Sequence, residues 1–407
     1  MRVLWLCAEP ISRGAAGNAS GFWKDALYAA LSKHANFEIA VAYPGSSFGI
    51  LEKGTATFRY PRERGACAIP ESTVADLARI IVTLRPDLIH VHGTETLIGQ
   101  IVDYTRVPVV VSMQGFISEC CDAVLGGIPL ETWRRFRTIR ERLTGGGFLG
   151  LQDDWRKSSL GEIRVLSSNR HFIGRTAFDL GVLRKHNATA HYHHGREMLR
   201  DVFFRGEWRP DTAVRHRIYA PGFSNPLKGF HLLLEAVSNL RHEFPDIAIA
   251  TPGRMTRRSQ SPIVGNAYHR FLGDRIRELG LRSHVKFLGR LDGGAVHNEL
   301  IAANVVVVSS LVENSSNALG EALAVGCPAI VPDPCGGLQS LVGDGDAAMA
   351  FDTGDARSLA RAIRTVFLEA GRATDMSAAA KRRSMELYET KSVLQDYVAI
   401  YKEVATA

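Results

Sequence analysis

Two carboxylates flank a short polar loop in the last third of the sequence. Glu313 precedes the loop, and Glu321 comes eight positions later. The run 305–308 is VVVV, which is typical of a strand buried on both faces of a parallel sheet. Asn317 is a residue type that caps helices, and it predicts a helix from Ala318 to about Val325 with Glu321 in its first turn. The unpaired amides of that helix start predict an anion site at the carboxyl edge of the sheet.

If a phosphate group binds at this helix start, the two negatively charged carboxylates cannot also contact that phosphate. Like charges ~4 Å apart repel by about 4 kcal/mol at an effective dielectric constant near 20, so the carboxylates must accept hydrogen bonds from hydroxyl groups. A nucleotide sugar, with a diphosphate between two hydroxyl-bearing sugars, matches this arrangement. The alternative is that Glu321 only complements the helix dipole and that Glu313 is a solvated loop residue. We expect this assignment to be undone if either side chain turns away from the gap between the two domains or forms an internal ion pair.

The residues after this pair complete a longer pattern. Gly326, Pro328 and the Gly336-Gly337 turn follow Glu313 and Glu321. This pattern resembles the donor site of the retaining glycosyltransferase family 4, also called group 1. The resemblance implies an α/β fold of the GT-B architecture, with two facing Rossmann-like domains and a C-terminal helix that crosses back to the first domain. It also implies that the first glutamate meets the donor hexose and that the second meets the nucleotide ribose.

The same resemblance implies donor contacts at other positions of the second half of the chain. Lys228 falls where the family carries the lysine that grips the donor diphosphate, and an ammonium there would stabilise the charge that grows on the leaving phosphate. Phe223 replaces an arginine that the family usually adds, and Arg254 could supply the missing charge. The backbone near Leu288 is implied to meet the nucleobase. The predicted helix start is implied to approach the donor sugar and diphosphate, at Asn317, Ala318, Leu319 and Gly320.

Three candidates lie in the first half of the chain. Gly17 belongs to a glycine-containing loop after the first predicted strand, which is either a phosphate contact or a plain turn; the resemblance places this loop against the donor phosphates. His92 ends a predicted strand and is either an acceptor contact or a hydrogen-bonded structural histidine. Gln114 stands where the family usually has a histidine. It could position a sugar, but it cannot carry a proton.

Length and patterning predict two α/β domains. A chain of 407 residues is too long for one ordinary core, and strand-like segments alternate with helix-like ones as in a doubly wound parallel sheet. We predict a first domain over residues 1–210 and a second, nucleotide-sugar-binding domain over 211–388. A terminal helix over 389–407 is predicted to pack back on the first domain.

Charge and composition narrow the location and the partners. No apolar run is long enough to span a bilayer, and the sequence start does not resemble a signal peptide, so a cytoplasmic location is expected. The net charge of +7 favours anionic partners, among them nucleotide sugars and anionic membranes, while no nucleic-acid-binding signature is present. We expect no cofactor and metal-independent chemistry. The histidines at 191, 193 and 194 have no carboxylate or cysteine partners nearby in the sequence, and Asp344-Gly345-Asp346 is typical of a turn.

The segment 128–143 is unusually basic. Its apolar residues recur at helical spacing and arginines dominate the remaining surface, which predicts one amphipathic helix. Such a helix could lie on an anionic membrane or bind an anionic acceptor. The alternative is a helix that packs on its own domain with a solvated arginine face. The apolar residues are Leu130, Trp133, Phe136, Ile139 and Leu143.

These observations predict a retaining, metal-independent hexosyltransferase. It would move a hexosyl group from a nucleoside-diphosphate sugar to a hydroxyl acceptor, which could be a glycan, a lipid-linked molecule or a small molecule. One alternative is a nucleotide-sugar epimerase of the same architecture, although Gln114 cannot supply the acid or base that it needs. Another is a sugar-nucleotide-binding protein with weakened catalysis, which Phe223 and Gln114 suggest. The sequence names neither the nucleotide, the sugar nor the acceptor.

Overall fold

The computed structural model describes residues 1–11, 22–51, 54–61 and 65–407, and this part of the chain forms two compact units. The first unit comprises Met1–Cys121, Asp154–Leu199 and Tyr388–Ala407. The second unit comprises Asp122–Asp153 and Arg200–Leu387. The chain therefore passes between the units several times.

Strands and helices alternate along both units. The strands are β1 (Arg2–Leu6), β2 (Glu38–Gly45), β3 (Gly49–Leu51), β4 (Thr55–Arg59), β5 (Leu88–His92), β6 (Val109–Ser112), β7 (His171–Gly174), β8 (His191–His194), β9 (Arg217–Tyr219), β10 (Ala248–Thr251), β11 (Val285–Phe287), β12 (Val305–Val307), β13 (Ala329–Asp333) and β14 (Met349–Asp352). The helices are α1 (Phe22–Leu31), α2 (Glu71–Leu84), α3 (Ile117–Cys120), α4 (Leu130–Phe136), α5 (Ile139–Thr144), α6 (Gly147–Ser168), α7 (Ala177–His186), α8 (Phe230–Leu240), α9 (Ala267–Glu278), α10 (Gly293–Ala302), α11 (Asn317–Val325), α12 (Leu338–Val342), α13 (Ala356–Leu368), α14 (Ala370–Tyr388) and α15 (Thr390–Ala405).

The described part of the first unit contains an eight-stranded sheet in the order β3-β4-β2-β1-β5-β6-β7-β8. Strand β3 is antiparallel to β4, and the other neighbours are parallel. Strands β1 and β5 read RVLWL and LIHVH and are almost wholly buried, as expected where helices cover both faces of a sheet. His92 of β5 is in register with Ser112 of β6. The carboxyl ends of these two strands therefore lie side by side.

The described part of the second unit contains a six-stranded parallel sheet in the order β11-β10-β9-β12-β13-β14. The chain runs outward from β9 to β10 and β11, and then returns to place β12 on the other side of β9. The strand order thus reverses between β9 and β12. Such a switch point opens a crevice at the carboxyl ends of the strands, where ligands of open α/β sheets bind.

The terminal helix α15 packs on the first unit. Its apolar face shares a core with Trp5 of β1 and Val110 of β6. This contact joins the last residues of the chain to the centre of the first sheet. The buried residues of the helix are Val393, Tyr397, Ile400, Tyr401 and Val404.

A buried polar network fixes α15 to the sheet. The indole Nε1 of Trp5 donates to the hydroxyl oxygen of Tyr401 at 3.0 Å. Nδ1 of His90 lies 2.7 Å from the same hydroxyl, and its Nε2 lies 2.6 Å from the hydroxyl of Ser112. Burial lowers the pKa of His90 to about 3, so the ring is neutral and needs these partners to satisfy its nitrogens.

The unit boundaries differ from the predicted domains. Residues 122–153, which we assigned to the first domain, belong to the second unit, and the later boundary falls at Leu199 and Arg200 rather than at residue 210. The reason is aromatic packing: Trp133 of α4 stacks on Tyr268 of α9 with ring centroids 6.1 Å apart. Within the residues described, no helix is long and apolar enough to cross a membrane.

The network around Tyr401 gives a test of how α15 is held. The substitution Tyr401→Phe should lower the free energy of unfolding by about 1–3 kcal/mol, because the polar groups of Trp5 and His90 lose a buried partner while the ring packing is kept. Urea unfolding followed by tryptophan fluorescence measures this change. Tyr104→Phe is the matched control, since Tyr104 is exposed, and it should change stability by less than about 0.5 kcal/mol. Equal stability of both variants would contradict the role of the network.

Candidate active site

Five loops of the second unit meet at one edge of its sheet. Leu288 follows β11, Arg254 follows β10, and Lys228 lies in the loop after β9. Glu313 follows β12, and Gly336 follows β13. These strands are parallel neighbours, so their carboxyl ends share an edge. The structure thus gathers the predicted donor-site residues of the second half of the chain around the switch point between β9 and β12.

Lys228 and Glu313 form an ion pair across the switch point. Nζ of Lys228 lies 2.5 Å from Oε2 of Glu313, and the hydroxyl of Ser310 donates to the same oxygen at 3.0 Å. The hydroxyl of Ser309 donates to the main-chain oxygen of Lys228 at 2.8 Å. The lysine side chain is 44% exposed and the glutamate 14%. A ligand can therefore reach the ammonium while the carboxylate stays largely shielded from water.

Helix α11 begins one residue earlier than the sequence indicated. Ser316 caps it, since its hydroxyl accepts from the amide of Leu319 at 3.3 Å. The prediction of Asn317 as the cap was therefore wrong, and Asn317 is the first helical residue. Both residue types cap helices well, so the sequence did not distinguish between them. Glu321 is the fifth residue of α11 and lies beyond its first turn.

Glu321 is buried and paired with an arginine from outside its own loop. Nη2 of Arg200 donates to Oε1 of Glu321 at 3.1 Å. The guanidinium of Arg200 also lies over the ring of Phe203, 4.9 Å from its centroid. The sequence gave no signal for this partner, because Arg200 precedes Glu321 by 121 residues.

Both glutamates are therefore engaged in internal ion pairs, which is the arrangement that we expected to undo the assignment of two free carboxylates to hydroxyl groups. The two pairs differ in kind. Glu313 pairs with Lys228, which is itself a predicted donor contact, so an arriving diphosphate would compete for the ammonium. Arg200 has no such predicted role, and it holds Glu321 in place. An ionised carboxylate offers about four lone-pair positions, so a paired glutamate can still accept from a hydroxyl.

Close backbone approaches hold the two loops of the ion pair. Gly336 has φ of +55°, and a Cβ there would collide with the main-chain oxygen of Glu313. The amide of Gly337 donates to that same oxygen at 2.8 Å. Gly229, directly after Lys228, has φ of +61°, and a Cβ there would collide with the main-chain oxygen of Ser309. Only glycine permits these contacts.

The position that usually carries an arginine is part of an apolar cluster. Phe223 is buried, stacks on His269 with centroids 5.2 Å apart and lies 4.8 Å from Phe287. Arg254 is exposed and lies against Gly289, at the end of β11. Along this part of the edge, Arg254 therefore offers an accessible guanidinium, whereas the phenyl group at 223 is turned into the core.

His92 is the last residue of β5, and Gln114 follows the neighbouring strand β6. His92 is buried between aromatic rings, with centroids 4.4 Å from Trp5 and 3.9 Å from His90. Neither of its ring nitrogens has a hydrogen-bond partner among the residues that the structure describes. Burial holds the pKa of His92 well below its usual value, so the ring is neutral. Ring packing rather than hydrogen bonding holds this histidine, and its contact with an acceptor stays a prediction.

Two carboxylates close to His92 and Gln114 in the first unit were not predicted from the sequence. Glu162 of α6 is buried and accepts from the amides of Ile117 and Ser118 at 3.1 and 2.7 Å and from the hydroxyl of Thr94 at 3.2 Å. Burial raises the pKa of Glu95 to about 7, and the nearby Glu162 adds to the rise. Oε2 of Glu95 is buried without a hydrogen-bond partner in the described part of the chain. For Glu95 the available signal was its place in the loop that follows the carboxyl end of β5.

The remaining sequence candidates are Gly17 and the residues considered for metal binding. Gly17 lies outside the described residues. The histidines of β7 and β8 contact one another: Nδ1 of His171 lies 3.1 Å from Nε2 of His193, and the ring of His171 stacks on His191. Across the ranges described, no group of three or more His, Cys, Asp or Glu is placed to hold a metal ion. Metal independence stays a prediction.

The geometry of the second unit agrees with a family-level match. Residues 218–383 match the model of the family described as glycosyl transferases group 1. Residues 218–383 of the second unit are a group 1 glycosyltransferase segment. The predicted recognition is confirmed, because the matched range contains Lys228, Glu313 and Glu321 together with the strands that position them.

The curated relatives that match this chain are named as glycosyltransferases. The chain is 24% identical to a phosphatidyl-myo-inositol mannosyltransferase of Mycobacterium leprae over 46% of this chain and 46% of that protein. It is 26% identical to a D-inositol 3-phosphate glycosyltransferase of a Nocardioides species over 77% of this chain and 66% of that protein. For the first of these relatives, the chain spans less than half of the relative's length.

Solved structures resemble the whole chain. Sucrose-phosphate synthase from Thermosynechococcus elongatus has a TM-score of 0.69 at 16% identity and covers 99% of both chains. The Anabaena protein HepE, solved in complex with UDP-glucose, has a TM-score of 0.67 at 16% identity and covers 100% of both chains. These likenesses confirm the predicted GT-B fold, which consists of two parallel-sheet α/β units.

The close approach at Gly336 gives a test of the site. Gly336→Ala should weaken UDP binding, measured by isothermal titration calorimetry, by roughly 10–100-fold, because the new methyl group must displace the Glu313 backbone. Gly345→Ala is the control, since Gly345 also has a positive φ, of +95°, but nothing lies within 4 Å of an added Cβ. That variant carries backbone strain without a collision and should bind UDP as the parent does. Equal binding by both variants would argue against this loop as part of the donor site.

The raised pKa of Glu95 predicts a pH dependence of stability in the first unit. The pKa in the folded protein is about 7 against an ordinary 4.5, so the folded state holds the proton more tightly than the unfolded state. This contribution to stability is fully present below about pH 4.5 and is lost as the pH rises through about 7. In Glu95→Gln, urea unfolding between about pH 5 and 8 should show a flatter decline than in the parent.

Glu131→Gln is the matched control for the pH experiment. Glu131 is exposed, so its neutralisation should leave the slope of stability against pH as in the parent. If Glu95→Gln keeps the parental slope as well, the carboxyl group of Glu95 is ionised at neutral pH and the inferred burial effect is wrong.

Proposed function

We propose that the chain is a retaining glycosyltransferase that moves a hexosyl group from a nucleoside-diphosphate sugar to a hydroxyl acceptor. The observation that carries the proposal is the ion pair of Lys228 and Glu313, with 2.5 Å between Nζ and Oε2. It lies at the switch point of a parallel sheet, where ligands of such folds bind. It also lies four residues before the start of α11, whose amides and dipole favour an anion.

In the proposed mechanism, the second unit holds the donor by its charges and hydroxyls. The ammonium of Lys228 moves from Glu313 to the diphosphate and stabilises the negative charge that develops as the bond to the anomeric carbon breaks. Glu313 then accepts a hydrogen bond from the hexose, and Glu321 accepts one from the ribose. The start of α11, at Asn317, Ala318, Leu319 and Gly320, lies against the sugar and diphosphate.

The transfer step itself is a same-face substitution at the anomeric carbon. The bond from that carbon to the diphosphate oxygen breaks, and the acceptor hydroxyl oxygen forms its bond on the face that the leaving group vacates. The acceptor proton passes to the departing diphosphate. This route needs no enzyme nucleophile, and the configuration at the anomeric carbon is retained. The backbone at Leu288 and the guanidinium of Arg254 are assigned to the nucleotide side of the donor.

The donor is best sought among uridine diphosphate sugars. HepE, whose fold this chain shares, was solved with UDP-glucose, which supports UDP-glucose as the first probe. The curated relatives include mannosyltransferases, so GDP-mannose is the second probe.

The proposal also covers the acceptor and the cellular location. A relative acts on phosphatidyl-myo-inositol, which supports a lipid-linked acceptor or another phosphorylated polyol. His92 and Gln114 of the first unit are assigned to acceptor or sugar positioning. We assign the chain to the cytoplasm, in peripheral association with an anionic membrane, and we propose that it needs no cofactor beyond the donor.

A donor panel with site variants tests the function. The parent protein should slowly release free nucleotide from its preferred donor in the absence of an acceptor, measured by chromatography, and EDTA should not slow it. Glu313→Gln and Lys228→Met should each lower this rate by roughly 100–1,000-fold, because each removes a charge that the transition state uses. The matched control is Glu243→Gln, which removes an exposed ion pair with Arg364 in the same unit and should keep the parental rate.

The products distinguish the alternatives. Appearance of a sugar inverted at C2 would assign the chain to the epimerases. A raised melting temperature with donor but no turnover would indicate a binding protein with weakened catalysis. Full activity of Glu313→Gln would refute the proposed role of the ion pair.

A further inference from the structure

The basic segment is folded differently from the single amphipathic helix that we predicted. It forms two short helices, α4 and α5, and the chain bends between them at Arg137 and Thr138. Thr138 begins α5 with a capping box, in which its hydroxyl accepts from the amide of Glu141 and the carboxylate of Glu141 accepts from the amide of Thr138. The apolar residues of the predicted single helix therefore lie on two helices with different directions.

The first half of the stripe packs into the second unit. Trp133 and Phe136 are buried, and Phe136 lies edge to face with Phe271 of α9, with centroids 5.6 Å apart. The second half faces outward: Ile139 is 52% exposed and Leu143 is 82% exposed. Because these two residues are four positions apart on α5, their side chains lie on one face of the helix.

A second segment adds to this exposed face. The amide of Ile139 donates to the main-chain oxygen of Pro262 at 2.9 Å, and the amide of Arg140 donates to that of Ile263 at 2.9 Å. These bonds fix the loop before α9 beside α5, and Ile263 and Val264 are both exposed there. We call Ile139, Leu143, Ile263 and Val264 the apolar ledge.

Hydrogen bonds to α9 fix the segments that carry the apolar ledge. The carboxylate of Glu141, buried beneath α5, accepts from the amide of Ala267 at 3.1 Å. The guanidinium of Arg270 donates to the main-chain oxygen of Arg137 at 3.1 Å. A fixed group of exposed aliphatic side chains on a folded protein marks a contact surface.

Arginines dominate the sequence around the apolar ledge. Within 130–144 only Glu131 and Glu141 are acidic, and Glu141 is used in the cap; the loop 256–266 contains no acidic residue. A soluble polyanion would use the arginines but not the aliphatic side chains, whereas an anionic bilayer uses both. The exposed arginines are Arg134, Arg135, Arg140, Arg142, Arg257 and Arg258.

The geometry points to the apolar ledge as the surface by which the second unit docks on an anionic lipid membrane. Its aliphatic side chains enter the headgroup region, and the arginines around it contact lipid phosphates. The inference rests on the peripheral association proposed above, and it is independent of glycosyl transfer. It places the contact on the nucleotide-sugar-binding unit, where it would hold the donor site near a lipid-linked acceptor.

Vesicle flotation tests this inference with the full-length chain. The parent should float with vesicles that contain phosphatidylglycerol and should stay in solution with pure phosphatidylcholine. Raising the salt from ~0.1 to ~1 M should weaken binding, since it shortens the screening length from about 10 to about 3 Å. Leu143→Ser/Ile263→Ser and Arg134→Glu/Arg140→Glu should each lower the bound fraction by roughly tenfold or more.

Matched variants separate this surface from general effects. Val82→Ser removes an exposed aliphatic side chain from α2 of the first unit, and Arg361→Glu/Arg372→Glu reverses two exposed charges elsewhere on the second unit. Both controls should float as the parent does. All variants should keep the parental melting temperature and the parental rate of donor hydrolysis, so a failure of glycosyl transfer is visible separately from a failure of docking.

Three results would overturn the inference. The parent could fail to float with anionic vesicles, or both ledge variants could float as the parent does. In the third result, only the arginine variant loses binding, which would make the surface a site for soluble anions. Self-association of the parent that the serine variant abolishes, without any vesicle binding, would assign the apolar ledge to a second copy of the chain instead.

Discussion

The contact between Lys228 and Glu313 is the constraint around which the second unit is arranged. The strands on either side of the switch point each deliver one of the two charges, and the loops that carry them are fixed by glycines that bring main chain against main chain. The lysine is nearly half exposed, and an ion pair with an exposed partner adds little to stability. Under the proposed function, the pair keeps the two proposed donor contacts in position before the donor binds.

A negative diphosphate changes the balance at this pair. The ammonium can be shared between a carboxylate and a phosphate, whereas the carboxylate cannot approach the phosphate. In the proposed mechanism, donor binding thus turns Glu313 away from the phosphate and towards a hydroxyl, so the two charges distinguish the phosphate end of the donor from its sugar end. The pair at Glu321 differs because Arg200 comes from the segment before β9, and it orients the carboxylate from the side of the helix.

The sequence predicted the fold and the gathering of the candidate residues at one sheet edge because both follow from local patterns. Alternating strand-like and helix-like segments specify parallel sheets, and residues after successive parallel strands must share an edge, so Lys228, Arg254, Leu288 and Glu313 could be gathered without knowing any contact. The cap of α11 was misplaced by one residue because Ser316 and Asn317 are equally suited to the role.

What the sequence could not predict depends on contacts between distant residues. The assignment of 122–153 to the second unit follows from rings that meet α9 more than a hundred positions later, and no periodicity encodes that. The same is true of Arg200 at Glu321 and of the bend that splits the apolar stripe of α4 and α5. The raised pKa of Glu95 comes first from burial, and then from Glu162 on a helix that arrives much later in the chain.

The departure at Phe223 shows how packing and charge are divided in this site. Its ring is 3% exposed and lies among Phe230, His269 and Phe287. An arginine side chain in this buried position would place an unpaired charge among aromatic rings. Only a partner anion could offset the resulting loss of stability. With phenylalanine there, the cluster needs no such partner. The positive potential for a diphosphate then rests on Lys228, the start of α11 and the exposed guanidinium of Arg254. The proposed donor site therefore depends more heavily on Lys228 than it would with an arginine at position 223.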